Sequence, residues 1–448
     1  MNVVVGGGIA GILSALLMQR RFGSVCLVEK DLELGGLYRS VKTDFGVSFD
    51  YGSHFLRSTT ISSLNDLLFD DLSQENWRFL GNLRGGGYFG SKLNCNSPFI
   101  DSRCLPPDLY QRGILEVLDL AETTQISTNL EEQLLSTFGT TFTNHLFRPI
   151  LSDKFFGSQL ADLCVDSHNL LGLGRIIGFT ASFTREIKKS AVHDNKIAFH
   201  SSAEGTTTQM NYYPICQGIS SWIELLATKM ANLNIRVITG ATVNQIETKN
   251  DRVTSVVLST GQHLSCENII WTIPTPLFLK AANISTNLTS VPFKGLYTSF
   301  YHFIFDRPFI TDLHYVQCHE PHFRTFRVTL YPNIQQNNST VYHLTSEMIS
   351  CTVPDLAANQ AQALTELVQM GVVSPDSIIL FQNAQCIPNG FAVPSLELQK
   401  NGALQLKTAI GAVNNVTFLG RSSGGGFAAE SVLTNVYNTL MLGLESSL

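Results

Sequence analysis

The residues with the clearest chemical signature are glycines near the N-terminus. Residues 6–11 place three of them in the spacing G-x-G-x-x-G, directly after the β-branched run at residues 3–5. The first glycine of this spacing allows a tight turn, the second lets a pyrophosphate approach the backbone, and the third lets the next helix pack closely. That helix also presents unpaired N–H groups and the positive end of its dipole to phosphates. The predicted phosphate-binding residues are Gly6, Gly8, Ile9, Ala10 and Gly11.

An acidic residue lies where a ribose would need a hydrogen-bond acceptor. A second strand is predicted at residues 24–28, and Glu29 stands at its end. Its carboxylate can accept hydrogen bonds from the ribose hydroxyls and would repel a 2′-phosphate, which disfavours NADP. Between the two strands, residues 12–21 predict a helix, and Gly23 stands where a helix-ending glycine belongs. Strand, glycine turn, helix and strand form a βαβ unit, the context in which this glycine spacing predicts dinucleotide binding.

A second glycine pair, Gly35 and Gly36, follows the acidic residue. Together with the first turn, this segment resembles the extended flavin fingerprint of the superfamily that contains the flavin amine oxidases, protoporphyrinogen oxidase, the phytoene desaturases and UDP-galactopyranose mutase. In those proteins the pair passes beside the cofactor phosphates, and the chain then runs under the flavin ring. The resemblance implies FAD as the cofactor, with contacts from Glu29, Lys30, Gly36, Leu37 and Tyr38.

The middle of the chain resembles the adenine-binding segment of the same superfamily. Strand-like runs with hairpin signals between them predict a meander, at residues 235–238, 241–247, 252–258 and 263–271. In the superfamily, a residue at the position of Val243 touches the adenine with its backbone, and a late strand ends in Thr-x-Pro. The resemblance therefore implies cofactor contacts from Val243 and Thr272.

The C-terminal region resembles the last part of the superfamily's cofactor site. Residues 416–419 predict a strand that ends in Gly-Arg, as in the mutase-like branch, and a glycine-rich turn and a closing helix follow. In the superfamily this helix points its N-terminus at the flavin and the pyrophosphate. The resemblance implies contacts from Gly420, Arg421 and Phe427.

These matches predict an α/β protein in which a discontinuous Rossmann-like FAD-binding domain carries an inserted α+β substrate domain. The length of 448 residues also favours more than one domain. The predicted FAD-binding domain comprises residues 1–95, 205–290 and 386–448. The predicted substrate domain comprises residues 96–204, which look mostly helical, and residues 291–385, which look mostly extended and are rich in aromatic residues.

His54 and Arg327 are the candidate catalytic residues. His54 lies in residues 50–57, which resemble a Gly-Pro-His-x-Phe turn beside the flavin of the mutase-like branch, and a histidine can move a proton near neutral pH. Arg327 alternates with Arg324 on a predicted strand and can bind a phosphate or carboxylate through two parallel hydrogen bonds. A structural histidine and a solvated strand face are the alternatives. Residues 138–157 resemble a helix of the same branch.

Three functions remain open. The first, which we favour, is an FAD-dependent oxidoreductase that removes a hydride from an amine, an alcohol or a C–C bond. The second is a UDP-galactopyranose mutase-like isomerase, in which reduced flavin attacks the sugar without net oxidation. The third is a flavoprotein or assembly partner without catalytic activity. The paired tyrosines and the full arginine set of the mutase are not securely matched, which places the oxidoreductase first.

Composition narrows the partners and the location. The net charge of −6 and the pI of about 6.0 argue against nucleic acid or acidic lipid. We expect a small-molecule substrate, and an anionic one is compatible because a local arginine cluster can bind it. No signal peptide or membrane-spanning run is recognised, and the nine cysteines contain no C-x-x-C pair, so we expect reduced thiols in a cytoplasmic protein.

A metal site is not predicted. The histidines closest to forming a cluster lie in one short stretch, but their spacing fits no usual zinc pattern. They are His314, His319 and His322, with Cys318 between them.

Overall fold

The computed structural model describes residues 1–120, 126–205, 209–285, 294–336, 340–424, 426 and 428–442 of the chain. Within these residues the strands, labelled β1–β22 in chain order, are Asn2–Val5, Val25–Val28, Ser40–Lys42, Ser48–Asp50, Leu56–Arg57, Trp77–Leu80, Gly85–Phe89, Lys92–Asn94, Ile100–Asp101, Ile176–Ile177, Asn211–Pro214, Arg236–Ile238, Val243–Lys249, Arg252–Leu258, His263–Ser265, Asn268–Trp271, Gly295–Phe305, Tyr315–Cys318, Thr325–Leu330, Tyr342–Ser350, Ile379–Ala392 and Val416–Phe418.

The α-helices are labelled α1–α12 in the same way. They are Ile9–Phe22, Ser62–Phe69, Pro107–Asp119, Leu130–Phe142, Ala181–Ile187, Ala191–Asp194, Ser220–Asn232, Thr275–Ala281, Tyr331–Gln335, Leu356–Gln369, Leu396–Ala412 and Ala429–Leu442. Two π-helical segments follow α4, at Thr143–Phe147 and Pro149–Phe156. Shorter 3₁₀ turns lie at Gly36–Tyr38, Ser102–Cys104, Leu160–Asp162, Ser167–Leu171, Ser202–Glu204 and Arg421–Ser423. None of the helices in the described part of the chain has the length and apolar character needed to cross a membrane.

A five-stranded parallel sheet forms the nucleotide-binding core, in the order β12-β2-β1-β16-β22. Its central strands β1 and β2 are buried throughout, as expected for a sheet covered on both faces. Val4 points to the face that packs on α1, α7 and α12, whereas Val3 and Val5 pack against the β13–β15 meander and α8. The predicted βαβ unit is therefore present, although α1 begins at Ile9, earlier than predicted.

The predicted meander is smaller than the sequence indicated. Only β13, β14 and β15 form it, whereas residues 236–238 and 268–271 pair with the parallel sheet. The single strand predicted over residues 263–271 is thus wrong, because its second half is buried beside β1 while its first half stays in the meander. The hairpin between β13 and β14 is confirmed, with positive φ values of 52° at Asn250 and 56° at Asp251, as its tight turn requires.

A mixed seven-stranded sheet forms the second large layer, in the order β21-β17-β20-β19-β18-β7-β8. Strands β17, β18, β19, β20 and the first half of β21 lie within residues 291–385, which were predicted to be mostly extended, but α10 was not predicted. That helix begins after Asp355, whose side chain accepts the Ala358 N–H, and it consists mostly of good helix formers. Strands β7 and β8 and residues 386–392 also pair in this sheet, although the predicted boundaries assign them to the FAD-binding domain. Those domain boundaries stay a prediction.

Candidate functional site

The three spaced glycines have the space and conformation that their predicted roles need. Gly6 has a φ of 109°, which favours glycine, and a Cβ there would lie 2.4 Å from Thr272 Oγ1. A Cβ on Gly11 would lie 1.8 Å from the Gly6 carbonyl oxygen. A Cβ on Gly8 would meet nothing within 4 Å. The turn is thus tight at Gly6, closely packed at Gly11 and open at Gly8, where a phosphate would approach.

The open side of this turn is the N-terminus of α1. Gly8 is the cap residue, and Ile9, Ala10 and Gly11 form the first turn, whose N–H groups have no acceptor within an α-helix. No acidic side chain lies in this described first turn. The positive end of the helix dipole is therefore available to an anion.

Glu29 lies beside the same turn. Its Oε2 accepts the Gly7 N–H over 2.5 Å, and its Oε1 accepts the Asp31 N–H over 2.9 Å. A carboxylate has about four acceptor positions, so two remain for donors such as ribose hydroxyls. The neighbouring Lys30 is exposed and pairs with Asp31 over 3.2 Å.

The second glycine pair packs onto the first turn. The Gly35 N–H donates to the Gly7 carbonyl over 2.8 Å, and a Cβ on Gly36 would lie 3.7 Å from Gly8 Cα. Both residues have positive φ, 107° at Gly35 and 57° at Gly36. The chain then continues through Leu37, which is half-buried, to the buried Tyr38. The two glycine-containing turns therefore lie side by side on one surface.

The C-terminal Gly-Arg pair meets the same surface from another strand. A Cβ on Gly420 would lie 3.1 Å from the Thr272 carbonyl oxygen and 3.8 Å from Ala10 Cβ. Thr272 Oγ1 donates to the Val5 carbonyl over 2.8 Å. The ends of β1, β16 and β22 thus converge at the carboxyl edge of the parallel sheet, where ligands bind in such folds. Phe427, predicted as a further contact, lies outside the described residues.

Val243 is brought towards this edge by backbone hydrogen bonds. The Gly240 N–H donates to the Asp31 carbonyl over 2.9 Å, and the Ala241 N–H donates to the Glu29 carbonyl over 3.0 Å. The chain that leads into β13 is therefore fastened to the segment that carries the ribose-binding candidate. This placement fits the adenine contact that the resemblance implies for Val243.

His54 lies against Tyr38. Their ring centroids are 4.8 Å apart, and His54 Nε2 donates to the Tyr51 carbonyl over 2.8 Å. Burial, together with the charge of Arg327, lowers the pKa of His54 to about 4, and the charge of Glu347 opposes this. The ring is therefore neutral near pH 7, and Nδ1 is its acceptor nitrogen.

The positive charge of Arg421 lowers the pKa values of both Tyr38 and His54. Burial raises the pKa of the Tyr38 hydroxyl, and the positive charge of Arg421 opposes this rise. Burial also lowers the pKa of Arg421, and Tyr38 counteracts it. The structure thus brings together His54, Tyr38 and Arg421, three predicted site residues from separate parts of the chain.

Arg327 binds a carboxylate through two hydrogen bonds, but the carboxylate belongs to the protein. Its Nε donates to Glu347 Oε1 over 2.8 Å, and its Nη2 donates to Glu347 Oε2 over 2.9 Å. Arg324 instead donates to the Asn359 side chain. The predicted catalytic role of Arg327 stays a prediction, and its positive charge is already compensated within the chain.

Asp50 is a buried site residue that sequence reasoning missed. It directly precedes the turn with His54, and its Oδ1 accepts from Ser40 Oγ over 2.6 Å and from the Ile219 N–H over 2.9 Å. Its Oδ2 accepts from the Tyr213 hydroxyl over 2.6 Å. A carboxylate directly before the predicted turn was the only local signal, because two of its three donors, Tyr213 and Ile219, are distant in sequence.

Asp50→Asn is expected to remove a pH dependence of stability. Burial raises the pKa of Asp50 from 3.8 to about 6, against the hydrogen bonds from Ser40, Tyr213 and Ile219. The folded state therefore holds this proton more tightly than the unfolded state, so the wild type gains stability as pH falls from about 6 to 4. At about 1.4 kcal/mol for each pKa unit, the gain is roughly 3 kcal/mol.

Urea denaturation of both proteins between pH 4 and 7 measures this gain. The asparagine keeps the shape and does not titrate, so the other titrating groups cancel in the difference between the two unfolding free energies. A difference that stays constant across this range would contradict the assignment.

Two of the three histidines near Cys318, His314 and His319, have other partners. His319 Nε2 donates to the Pro98 carbonyl over 2.8 Å, and His314 contacts Arg84. Over the described ranges, no three His, Cys, Asp or Glu side chains are grouped so as to hold a metal ion.

Comparisons with known proteins agree with this architecture. Residues 4–72 match the family described as NAD(P)-binding Rossmann-like domain. UDP-galactopyranose mutase in its reduced form superposes with a TM-score of 0.78 at 14% identity, covering 99% of this chain and 95% of the other. A protein assigned as protoporphyrinogen oxidase from Exiguobacterium sp. 255-15 gives a TM-score of 0.71 at 14% identity, covering 100% and 99%. The chain therefore has the fold of these two proteins.

Other comparisons extend this picture. A putrescine oxidase variant also shares the fold, with a TM-score of 0.63 at 13% identity, over 99% of this chain and 98% of the other. The predicted fold class is therefore confirmed. An uncharacterized protein from the nifH2 3′ region of Methanothermococcus thermolithotrophicus is 40% identical over 85 residues, 19% of this chain and 76% of that protein. The two proteins belong to one family, and the name of this relative states no activity.

Proposed function

We propose that this protein is an FAD-dependent oxidoreductase that acts on a small molecule. The observation that carries the proposal is the convergence of the first glycine turn, Glu29, the Gly35–Gly36 pair and Gly420 at one edge of the parallel sheet. That edge is open at Gly8, where a pyrophosphate needs access to the backbone. A plain NAD site has no need of the second glycine pair.

The residues present fit FAD along its whole length. The N–H groups of Ile9, Ala10 and Gly11 would bind the phosphates, Glu29 the ribose, and the Val243 backbone the adenine. On the flavin side, contacts would come from Gly36, Leu37, Tyr38 and Arg421. Thr272 and Gly420, at the carboxyl edge of the parallel sheet, would line the same part of the site. When bound, FAD would supply the electron-accepting group, so no redox-active side chain is required.

His54 is the residue that we propose to move a proton. Its ring is neutral near pH 7 because burial lowers its pKa to about 4, and Nε2 is committed to the Tyr51 carbonyl. Nδ1 is then the atom that accepts a hydrogen bond or a proton. Tyr38 packs on the ring and limits its orientation.

Arg421 is the charge on which an anionic substrate group would depend. The positive charge of Arg421 acts on both Tyr38 and His54, so it lies close to the residues proposed to face the substrate. We propose that the substrate is bound beside these residues. We also propose a cytoplasmic location, on the evidence of the cysteine pattern.

The purified protein is expected to show the visible absorption of a flavin, and the nucleotide released on denaturation should be FAD. Chromatography of the released nucleotide, and reconstitution of the colourless protein with FAD or with NAD, measure this directly. A colourless protein that takes up no FAD would refute the proposal.

A mutase-like isomerase is the second candidate, and the Arg421 that directly follows Gly420 favours it. Oxygen uptake or dye reduction with candidate amines, alcohols and sugar nucleotides separates the two reactions. Turnover that appears only after flavin reduction, without consumption of electrons, would exclude the oxidoreductase. If no substrate perturbs the flavin spectrum, a non-catalytic flavoprotein is favoured.

A further inference from the structure

The turn that carries His54 rests on the face of the seven-stranded sheet. The Ser53 N–H donates to Glu347 Oε1 on β20 over 3.0 Å. Ser53 Oγ and Thr329 Oγ1, the latter on β19, are 2.5 Å apart and hydrogen-bonded. Two adjacent strands of the sheet therefore hold the residue that directly precedes His54.

Glu347 is the centre of this contact. It is 3% exposed, and it accepts hydrogen bonds from Ser53 and from both Nε and Nη2 of Arg327. A buried carboxylate is tolerated only with such donors and a compensating charge. Loss of this carboxylate would release the turn and leave the Arg327 charge without its partner.

Gly52 shows how closely the turn follows this ion pair. A Cβ on Gly52 would lie 3.0 Å from Glu347 Oε2 and 3.5 Å from Arg327 Nη2. The φ of Gly52 is 107°, a conformation that favours glycine. The backbone of the turn therefore lies directly against the carboxylate and the guanidinium.

We propose that Glu347 is a positioning residue that sets the place of His54 in the FAD site. This rests on the proposed function, since it gives the position of His54 its purpose. Glu347 acts through the Ser53 N–H and through Arg327, which it holds against the turn. An ion pair that only stabilised the sheet would contribute to folding but would leave His54 and the flavin unaffected.

Glu366 provides a matched control. It is 0% exposed, and it accepts the Arg324 and Thr325 N–H groups over 2.8 Å each, at the start of β19. Like Glu347, it is a buried carboxylate that holds backbone N–H groups, but it lies on α10 and accepts from Arg324, Thr325 and Gln362 rather than from the His54 turn. Variants of both residues therefore remove a buried carboxylate that contacts β19, in one case beside the His54 turn and in the other at the start of the strand.

The experiment compares Glu347→Ala and Glu347→Gln with Glu366→Ala and Glu366→Gln. The apo proteins are labelled with ¹³C-histidine, and the His54 ring resonance is assigned through its loss in His54→Gln. The FAD-loaded proteins are compared by their visible spectra. Urea denaturation reports the stability of each variant.

Glu347→Ala is expected to shift both the His54 resonance and the flavin absorption band. Glu347→Gln keeps an acceptor for the Ser53 N–H and is expected to shift both by less. The Glu366 variants are expected to lose stability while both signals stay at their wild-type positions. If Glu347→Ala does not fold, Glu347→Gln is judged by the same two signals against Glu366→Gln.

Wild-type signals in a folded Glu347 variant would overturn the proposal, as would equal shifts in the Glu366 variants. A wild-type protein that binds no FAD would instead refute the proposed function. The His54 resonance of the apo variants would still show whether Glu347 positions the turn.

Discussion

Gly8→Ala is expected to weaken FAD binding by at least about tenfold while the apo protein stays folded. Gly8 has an ordinary φ of −75°, and a Cβ there meets no protein atom within 4 Å, so the loss in unfolding free energy should be about 1 kcal/mol or less. The added methyl group would occupy the open side of the turn, which a pyrophosphate must approach. An affinity loss of at least about tenfold corresponds to about 1.4 kcal/mol and is measured by titration with FAD.

Gly11→Ala is expected to lose both FAD binding and stability. Its Cβ would lie 1.8 Å from the Gly6 carbonyl oxygen, so the turn and α1 must separate, at a cost of about 1–3 kcal/mol or more. Gly402→Ala, in α11 with nothing within 4 Å of its Cβ, is the control. It should be neutral or slightly stabilising, since alanine favours helices more than glycine does.

Tight FAD binding by Gly8→Ala would contradict the phosphate site. A Gly11→Ala protein as stable as Gly402→Ala would contradict the close packing of the turn. The two outcomes are independent, because one concerns the open face of the turn and the other its buried face.

Lys154→Met is expected to lower the unfolding free energy by about 3 kcal/mol or more. Lys154 Nζ donates to three backbone carbonyls, those of Cys318 at 3.0 Å, Glu320 at 2.9 Å and Thr325 at 2.9 Å. Burial lowers the pKa of this ammonium group. The methionine keeps the length of the side chain but cannot donate, and each buried carbonyl without a donor costs about 1–3 kcal/mol.

Urea denaturation of this variant is compared with that of Lys92→Met, whose lysine is exposed on β8. Lys92→Met should change stability by about 0.5 kcal/mol or less, as surface substitutions usually do. Equal stability of the two variants would show that the three hydrogen bonds contribute nothing net. In that case burial of the charge would offset them.

Local patterns in the sequence were sufficient for the nucleotide-binding unit. Continuous apolar runs, the glycine spacing and a turn-forming Asn250-Asp251 pair each act within a few residues, so their backbone conformations could be predicted. The resemblance to the flavin superfamily then connected the N-terminal, middle and C-terminal parts into one fold, which the comparisons confirm.

The partners of the site residues depended on contacts that no local pattern encodes. Arg327 looked equally able to bind a substrate and to face solvent, and only the packing of β19 on β20 placed Glu347 against it. The run at residues 263–271 looked like one strand, because burial beside β1 is a property of the assembled sheet. Asp50 likewise finds Tyr213 and Ile219 only after folding.

The sequence by itself therefore determined the βαβ unit and the likeness to flavin-binding proteins, because backbone propensity and close glycine packing are short-range effects. Tertiary structure decided that Glu347 neutralises Arg327, that His54 is neutral beside Tyr38, and that the second glycine pair lies on the first. Hydrogen-bond partners and pKa values follow from burial and from charges distant in sequence, and these exist only once the chain has folded.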